Sequence, residues 1–192
     1  MTPSEPLFLL DSSLRKEADQ LLNERGLRSL LSRYGRLYIT GSYVTQLMVW
    51  RDIDICLDSP DMTVQRFFAM GQEIACLVSP WKMFFTNHLT IPHDTGPRGL
   101  YWGIRMGDLK QGAFKIDLWW LDAQAIRQQV QRDHRLTQRL TQETRRIILL
   151  IKSQLWDHPD YRDTVTSQDI YNGVLDGGVS SLEELRSWMA SK

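Results

Sequence analysis

The chain has 192 residues, with 23 basic against 23 acidic side chains, 42% hydrophobic and 24% charged residues. That length suits one domain, or a domain with a small appendage, and the composition excludes a disordered or fibrous chain. Zero net charge excludes a global electrostatic pull toward nucleic acid or anionic lipid, while leaving room for a local basic patch.

The first apolar run, Leu7 to Leu10 between acidic residues, is too short for a secretory leader or a membrane span, so a cytoplasmic protein is expected. Cys56 and Cys76 are the only cysteines. With no CxxC and no Cys/His cluster they read as small buried hydrophobes, not as a disulfide or zinc site.

From Ser13 to Leu31 the apolar residues Leu14, Ala18, Leu21, Leu22, Leu27, Leu30 and Leu31 recur at helical spacing, with Gly26 as a break. "RLYIT" then reads as a strand. Ser42 is expected to cap a short helix carrying Val44, Leu47 and Met48 as an i, i+3, i+4 stripe. "DIDICLD" is a second strand, ended by Asp58, Ser59 and Pro60, and residues 63–78 form a helix with a broad apolar face.

Three strand-like runs follow, 81–91, 100–107 and 113–121, separated by the turn-rich "PHDTGPRG" and "DLKQG"; this spacing predicts an antiparallel meander. From Asp122 the pattern is helical as far as His158 and Pro159. A short helix, a Gly177-Gly178 break and a final helix come last, the final one opened by a capping box of Ser181 and Glu184. The expected fold is α+β: a mixed, mostly antiparallel five-stranded sheet with helices packed on it, in a region 1–121, and a helical subdomain over 122–192.

Side chains in a strand alternate faces, so Asp52 and Asp54 project together while Ile53, Ile55 and Leu57 project into the core. The same parity in "FKIDLWW" puts Lys115, Asp117 and Trp119 opposite Phe114, Ile116, Leu118 and Trp120. If the two strands are neighbours, Asp117 joins Asp52 and Asp54. Three such carboxylates repel, and either raise one pKa or recruit a cation; an all-oxygen set suits Mg²⁺ rather than zinc. Upstream, Gly41-Ser42 opens a helix and offers backbone N–H groups to an anion. An anion site before an acidic strand describes phosphoryl transfer, in which two metals about 3.5–4 Å apart clamp the attacking and leaving oxygens.

"IT-GS", nine residues, "DIDICL" and, later, "KIDLWW" together resemble the nucleotidyltransferase superfamily, which includes DNA polymerase beta and the kanamycin and lincosamide nucleotidyltransferases; the pattern covers about residues 36–121. The resemblance implies that Gly41 and Ser42 cradle the nucleotide phosphates and that Asp52 and Asp54 ligate Mg²⁺. It further implies that Asp117 is a ligand of the second metal or the base that takes the acceptor proton. The reaction implied is attack of an acceptor hydroxyl on the α-phosphate of a nucleoside triphosphate, with release of pyrophosphate.

Around this centre, Arg105 is a candidate phosphate contact. Trp119 is expected to pack beneath the C-terminal helices, with ring stacking on a ligand as the rival reading. His88 and His93 suggest no metal site. The arginines between Arg127 and Arg146 read by default as a solvated helix face, with a groove for triphosphate or an acidic partner as the alternative. A short, neutral chain without a DNA-gripping domain favours transfer of a nucleoside monophosphate, AMP foremost, to a small antibiotic-like molecule. Two alternatives remain open: a protein or RNA acceptor, as in toxin-antitoxin pairs, and a non-catalytic nucleotide- or metal-binding module.

Overall fold

The computed structural model describes residues 5–90, 97–159, 161 and 163–191. Five strands, β1 (Arg36–Thr40), β2 (Asp52–Asp58), β3 (Lys82–Asn87), β4 (Gly99–Arg105) and β5 (Lys115–Leu121), form one sheet in the order β1-β2-β5-β4-β3. Only β2 and β5 run parallel; β1-β2, β3-β4 and β4-β5 are antiparallel, so the expected meander and mixed sheet are both present.

The helices are α1 (Glu5–Asp19), α2 (Leu27–Ser32), α3 (Ser42–Thr45), α4 (Val64–Val78), α5 (Ala123–Arg139), α6 (Gln142–Leu155), α7 (Ser167–Leu175) and α8 (Leu182–Ala190). The first helix begins earlier than the periodicity indicates and takes in Leu7 to Leu10; Leu9 and Leu10 stay exposed, so they add nothing to the buried stripe on which the pattern rests. A π-helical turn over Gln20–Glu24 links α1 to Gly26, which breaks the chain in the left-handed region (φ 83°) where a residue with a Cβ is disfavoured.

One sheet face is dry. Ile53, Ile55, Leu57, Ile116, Leu118, Trp102 and Ile104 pack there with Leu21, Leu22, Leu27 and Leu31, and with Phe67, Met70 and Ile74 of α4. Each such side chain contributes about 1.5–3 kcal/mol through burial. α4 is capped by the Thr63 side chain, which accepts from Arg66 N–H at 3.1 Å. A second core joins α6, α7 and α8 through Ile148, Ile151, Leu155, Ile170, Val174 and Leu185, and draws in Leu47, Val49 and Trp50 from the segment between α3 and β2. The opposite sheet face is covered in part by α5, whose Ile126 meets Cys56 and Leu121.

Several boundaries differ from expectation. The strand predicted over 81–91 is six residues long; Trp81 is exposed, and His88 to Thr90 turn away, while the end of that run and His93 lie outside the described residues. At α8 the Ser181 side chain accepts from Glu184 N–H at 3.2 Å, but the Glu184 carboxylate reaches past Ser181 to Ser180 N–H at 2.7 Å, so the box is half formed. Complete capping boxes open α6 and α7 instead, at Thr141 with Thr144 and Thr166 with Asp169. Among the described residues, no helix is long and apolar enough to cross a membrane.

Candidate active site

β2 and β5 are neighbours in parallel register, with Asp52 opposite Lys115 and Asp54 opposite Asp117. Strand parity therefore gathers the three aspartates on the face away from the dry core, as the alternation in both segments requires. Asp54 lies at the centre, and burial first, then the charges of Asp52 and Asp117, pushes its carboxyl up to about 8. The repulsion expected between three clustered carboxylates is thus present in the fold.

The turn after β1 comes up against this cluster. Gly41 has φ 71°, ψ −148°, and a Cβ built there would meet Asp54 Oδ2 at 2.2 Å, so both the dihedral and the close approach demand glycine. Ser42 is the first residue of α3 rather than its cap, and α3 ends after four residues because Gln46 turns left-handed. Val44 is exposed while Leu47 and Met48 are buried beyond the helix end, so the expected stripe is not a helical face. The Ser42 hydroxyl instead accepts from Lys152 Nζ at 2.9 Å.

Two buried ionic groups of the C-terminal helices reach the turn, and sequence reasoning missed both. Lys152 of α6 is fully buried and also donates to Leu47 O at 2.7 Å. Asp133 of α5 accepts from Gly41 N–H at 2.7 Å, and its carboxyl is raised above the ordinary value mainly by burial, against the pull of that hydrogen bond and of Arg132. A signal for Lys152 exists in "IILLIKSQLW": it sits four after Ile148 and three before Leu155, on the stripe that must be buried.

On the β5 side, Tyr101 of β4 donates to Asp117 Oδ1 at 2.6 Å, and burial with the neighbouring aspartates raises its phenol above the ordinary value. Lys115 Nζ donates to Asp52 Oδ1 at 3.2 Å and contacts Asp117 Oδ2. Trp119, half-buried, lies 4.6 Å from the Tyr101 ring and 5.0 Å from His88. It packs against the small cluster beneath α5 and also lines a cavity beside Asp54.

A cavity of about 500 Å³ opens over these groups. Its floor is Gly41, Ser42, Asp52, Asp54, Lys115 and Asp117; its walls are α5, through Arg132, Asp133, Arg135 and Arg139, and α7, through Ser167, Gln168, Tyr171 and Asn172. A second cavity, about 670 Å³, shares Asp54, Gln129, Arg132 and Arg135 with the first and runs on past Trp119 and Gln128.

Arg105 does not line either cavity. It stands at the end of β4 in register with Lys115, one strand farther from Asp52. The cavity arginines come from the helical run instead, which the fold divides: Arg132, Arg135 and Arg139 face the cavity, Arg145 donates to Asp11 at 2.7 Å, and Arg146 pairs with Glu143 at 2.6 Å.

Among the described residues, no group of three His, Cys, Asp or Glu side chains is arranged so as to hold a metal ion. The donor chemistry nonetheless fits a hard divalent cation. Asp52 and Asp54 present carboxylates on one face, and Asp54 is held in a state that nearby positive charge would relieve.

No protein family and no curated protein matches the sequence. Solved structures match the fold. A cytoplasmic RNA terminal U-transferase superposes with a TM-score of 0.58 at 16% identity, over 90% of this chain and 52% of that one. Cid1 poly(U) polymerase with Mg and 3′-dATP bound gives 0.58 and 16%, over 90% and 54%. The GLD-2/RNP-8 complex gives 0.55 and 10%, over 90% and 64%. This chain spans about half the length of the first two. The likeness is one of fold: the chain shares the mixed five-stranded sheet and surrounding helices of these transferase structures. The neighbours do not confirm the kanamycin-type analogy.

Proposed function

We propose that this chain is a magnesium-dependent nucleotidyltransferase that moves a nucleoside monophosphate from a nucleoside triphosphate to a terminal hydroxyl of RNA. The observation that carries the reading is the pairing of Asp54 with Asp117 across parallel strands, directly beside a glycine turn that only Gly41 can make. An acidic floor beside the Gly41-Ser42 turn, which is backed by the buried Lys152 ammonium and faced by three wall arginines, suits a triphosphate and its cation.

In this reading Asp52 and Asp54 hold Mg²⁺, with Asp117 completing the acidic set. Ser42, steadied by Lys152, and the Arg132–Arg135 edge of α5 hold the phosphates. The bound ion would neutralise phosphate charge and make the acceptor hydroxyl more acidic. The chain orients that hydroxyl in line with the α-phosphorus. A new P–O bond forms, the bond to the β-phosphate oxygen breaks with its electron pair leaving on pyrophosphate, and the hydroxyl proton passes to Asp117.

RNA is favoured over a small molecule on two grounds. The structural neighbours are described as an RNA terminal U-transferase and a poly(U) polymerase, the latter also solved with its short product ApU. The second cavity, which continues from Asp54 under α5 past Trp119, offers an aromatic face and cationic side chains suited to a single-stranded end.

The test is incubation with Mg²⁺, a labelled short single-stranded RNA and either ATP or UTP. Extension of the RNA with pyrophosphate release is expected, and Asp54→Asn should abolish it. An Asp54→Asn protein that keeps its activity would leave the acidic cluster a mere cation holder, and label appearing on small molecules alone would restore the antibiotic-type acceptor.

A further inference from the structure

Lys115 is left over by the reading of the site as a transferase centre. It lies two residues before Asp117 on β5, so parity sends its stem to the carboxylate face, and its side chain is only 11% exposed. Nζ lies 3.2 Å from Asp52 Oδ1 and touches Asp117 Oδ2. The Trp50 ring, 5.5 Å from Nζ, offers its π face to the same charge.

Asp117 is thereby engaged at both oxygens, Oδ1 by the Tyr101 hydroxyl and Oδ2 by Lys115. A carboxylate bridging two metal ions needs an oxygen directed at the second one. Here that direction is taken by an ammonium fixed covalently to the strand next to Asp52.

We propose that Lys115 is a built-in second cation, holding Asp117 to Asp52 where another divalent ion would otherwise bridge them. The chain then takes one divalent ion with its nucleotide, on Asp52 and Asp54. This rests on the nucleotidyl-transfer reading of the same site, and it makes Lys115 a positioning residue rather than a group that reacts.

The experiment counts metal. Mn²⁺ is titrated into the full chain at saturating non-hydrolysable ATP or UTP analogue, with free Mn²⁺ followed by electron paramagnetic resonance and nucleotide binding followed separately. Wild type should bind one Mn²⁺ per chain. Lys115→Met should bind two, the second at least tenfold tighter than any further ion on wild type. Lys115→Gln serves as the second variant, with the thermal transition of each protein recorded to establish that it folds. Two Mn²⁺ on wild type, or one on both folded variants, would overturn the assignment while leaving nucleotide binding intact. Failure of wild type to bind either nucleotide or Mn²⁺ would overturn the transferase reading together with it.

Discussion

Lys152 Nζ donates to Ser42 Oγ at 2.9 Å, tying α6 to the turn that follows β1. Its other hydrogen-bond partners, Leu47 O at 2.7 Å and the Tyr171 hydroxyl at 3.4 Å, are neutral as well, and the charges of Asp52, Asp54 and Asp11 only partly offset its burial. Burial lowers the pKa of this lysine below the ordinary value of 10.5. The unfolded chain therefore binds the proton more tightly than the folded one. Below the lowered value the burial penalty is fully present, and stability rises as pH climbs from that value toward 10.5. Lys152→Met should remove this rise and melt at or above wild type near neutral pH, because an apolar side chain of similar length carries no such penalty. It should also weaken nucleotide binding by roughly tenfold, the worth of about one charge-assisted hydrogen bond. Thermal melts of both proteins across pH 7 to 9.5, beside nucleotide titrations, check the pair of outcomes; identical slopes would remove the basis for this account.

Gly41→Ala tests the turn itself. The φ of 71° disfavours any residue with a Cβ, and the added methyl would collide with Asp54 Oδ2. Backbone strain of this kind costs about 1–3 kcal/mol, and here relief requires moving a carboxylate of the acidic floor. The variant should unfold at lower urea than wild type and bind the magnesium nucleotide poorly. Gly26→Ala provides the comparison, since its φ is also left-handed but a Cβ there meets nothing within 4 Å. It should lose stability alone and keep its affinity.

The acidic floor was legible because it depends on a property local to each strand. Side chains alternate whatever the tertiary structure does, so Asp52, Asp54 and Asp117 had to share a face once β2 and β5 were neighbours. The meander was legible for a like reason, being written in turn residues between short β-branched and aromatic runs. Helix faces are different. Which of Arg132, Arg135, Arg139, Arg145 and Arg146 meets the cavity follows from how α5 and α6 pack on the rest of the molecule, and no local period records that. Asp133 shows the same limit, since its partner, Gly41 N–H, is 92 positions away. Ser42 misled because capping chemistry presumes a helix long enough to need it, and α3 is closed by Gln46 after one turn.

Asp11 was unremarked in the sequence, yet it is fully buried and accepts from Met48 N–H at 2.8 Å, Arg15 at 3.0 Å and Arg145 at 2.7 Å. It joins α1 and α6 to the segment that leads from α3 into β2. Asp11→Ala strands a buried N–H and two cations, which costs about 3–5 kcal/mol when one partner of a buried pair is removed. Asp11→Asn keeps acceptor geometry for Met48 and should cost less. Equilibrium urea unfolding of the three proteins should rank them in that order; equal midpoints for Asp11→Ala and wild type would show that the network adds nothing.

Tyr101→Phe isolates the role of Asp117. The hydroxyl donates to Asp117 Oδ1 at 2.6 Å, and the Tyr101 ring is held independently by Trp119 at 4.6 Å and Phe84 at 5.7 Å. Gly103 makes that packing possible, since a Cβ there would meet the Phe84 ring at 2.3 Å and the Tyr101 hydroxyl at 2.8 Å. Phenylalanine keeps the ring contacts and removes only the hydrogen bond, so the fold should tolerate it. A hydrogen bond to a charged group contributes about 1.5–3 kcal/mol, which corresponds to roughly tenfold to a hundredfold in rate if Asp117 must be oriented for the transition state. The expected result is a fall of that size in kcat with little change in KM for the triphosphate, whose phosphates the proposed function assigns to the Ser42 and α5 side of the cavity. A rise in KM with kcat unchanged would instead assign Tyr101 to ground-state binding and take the positioning role away from it.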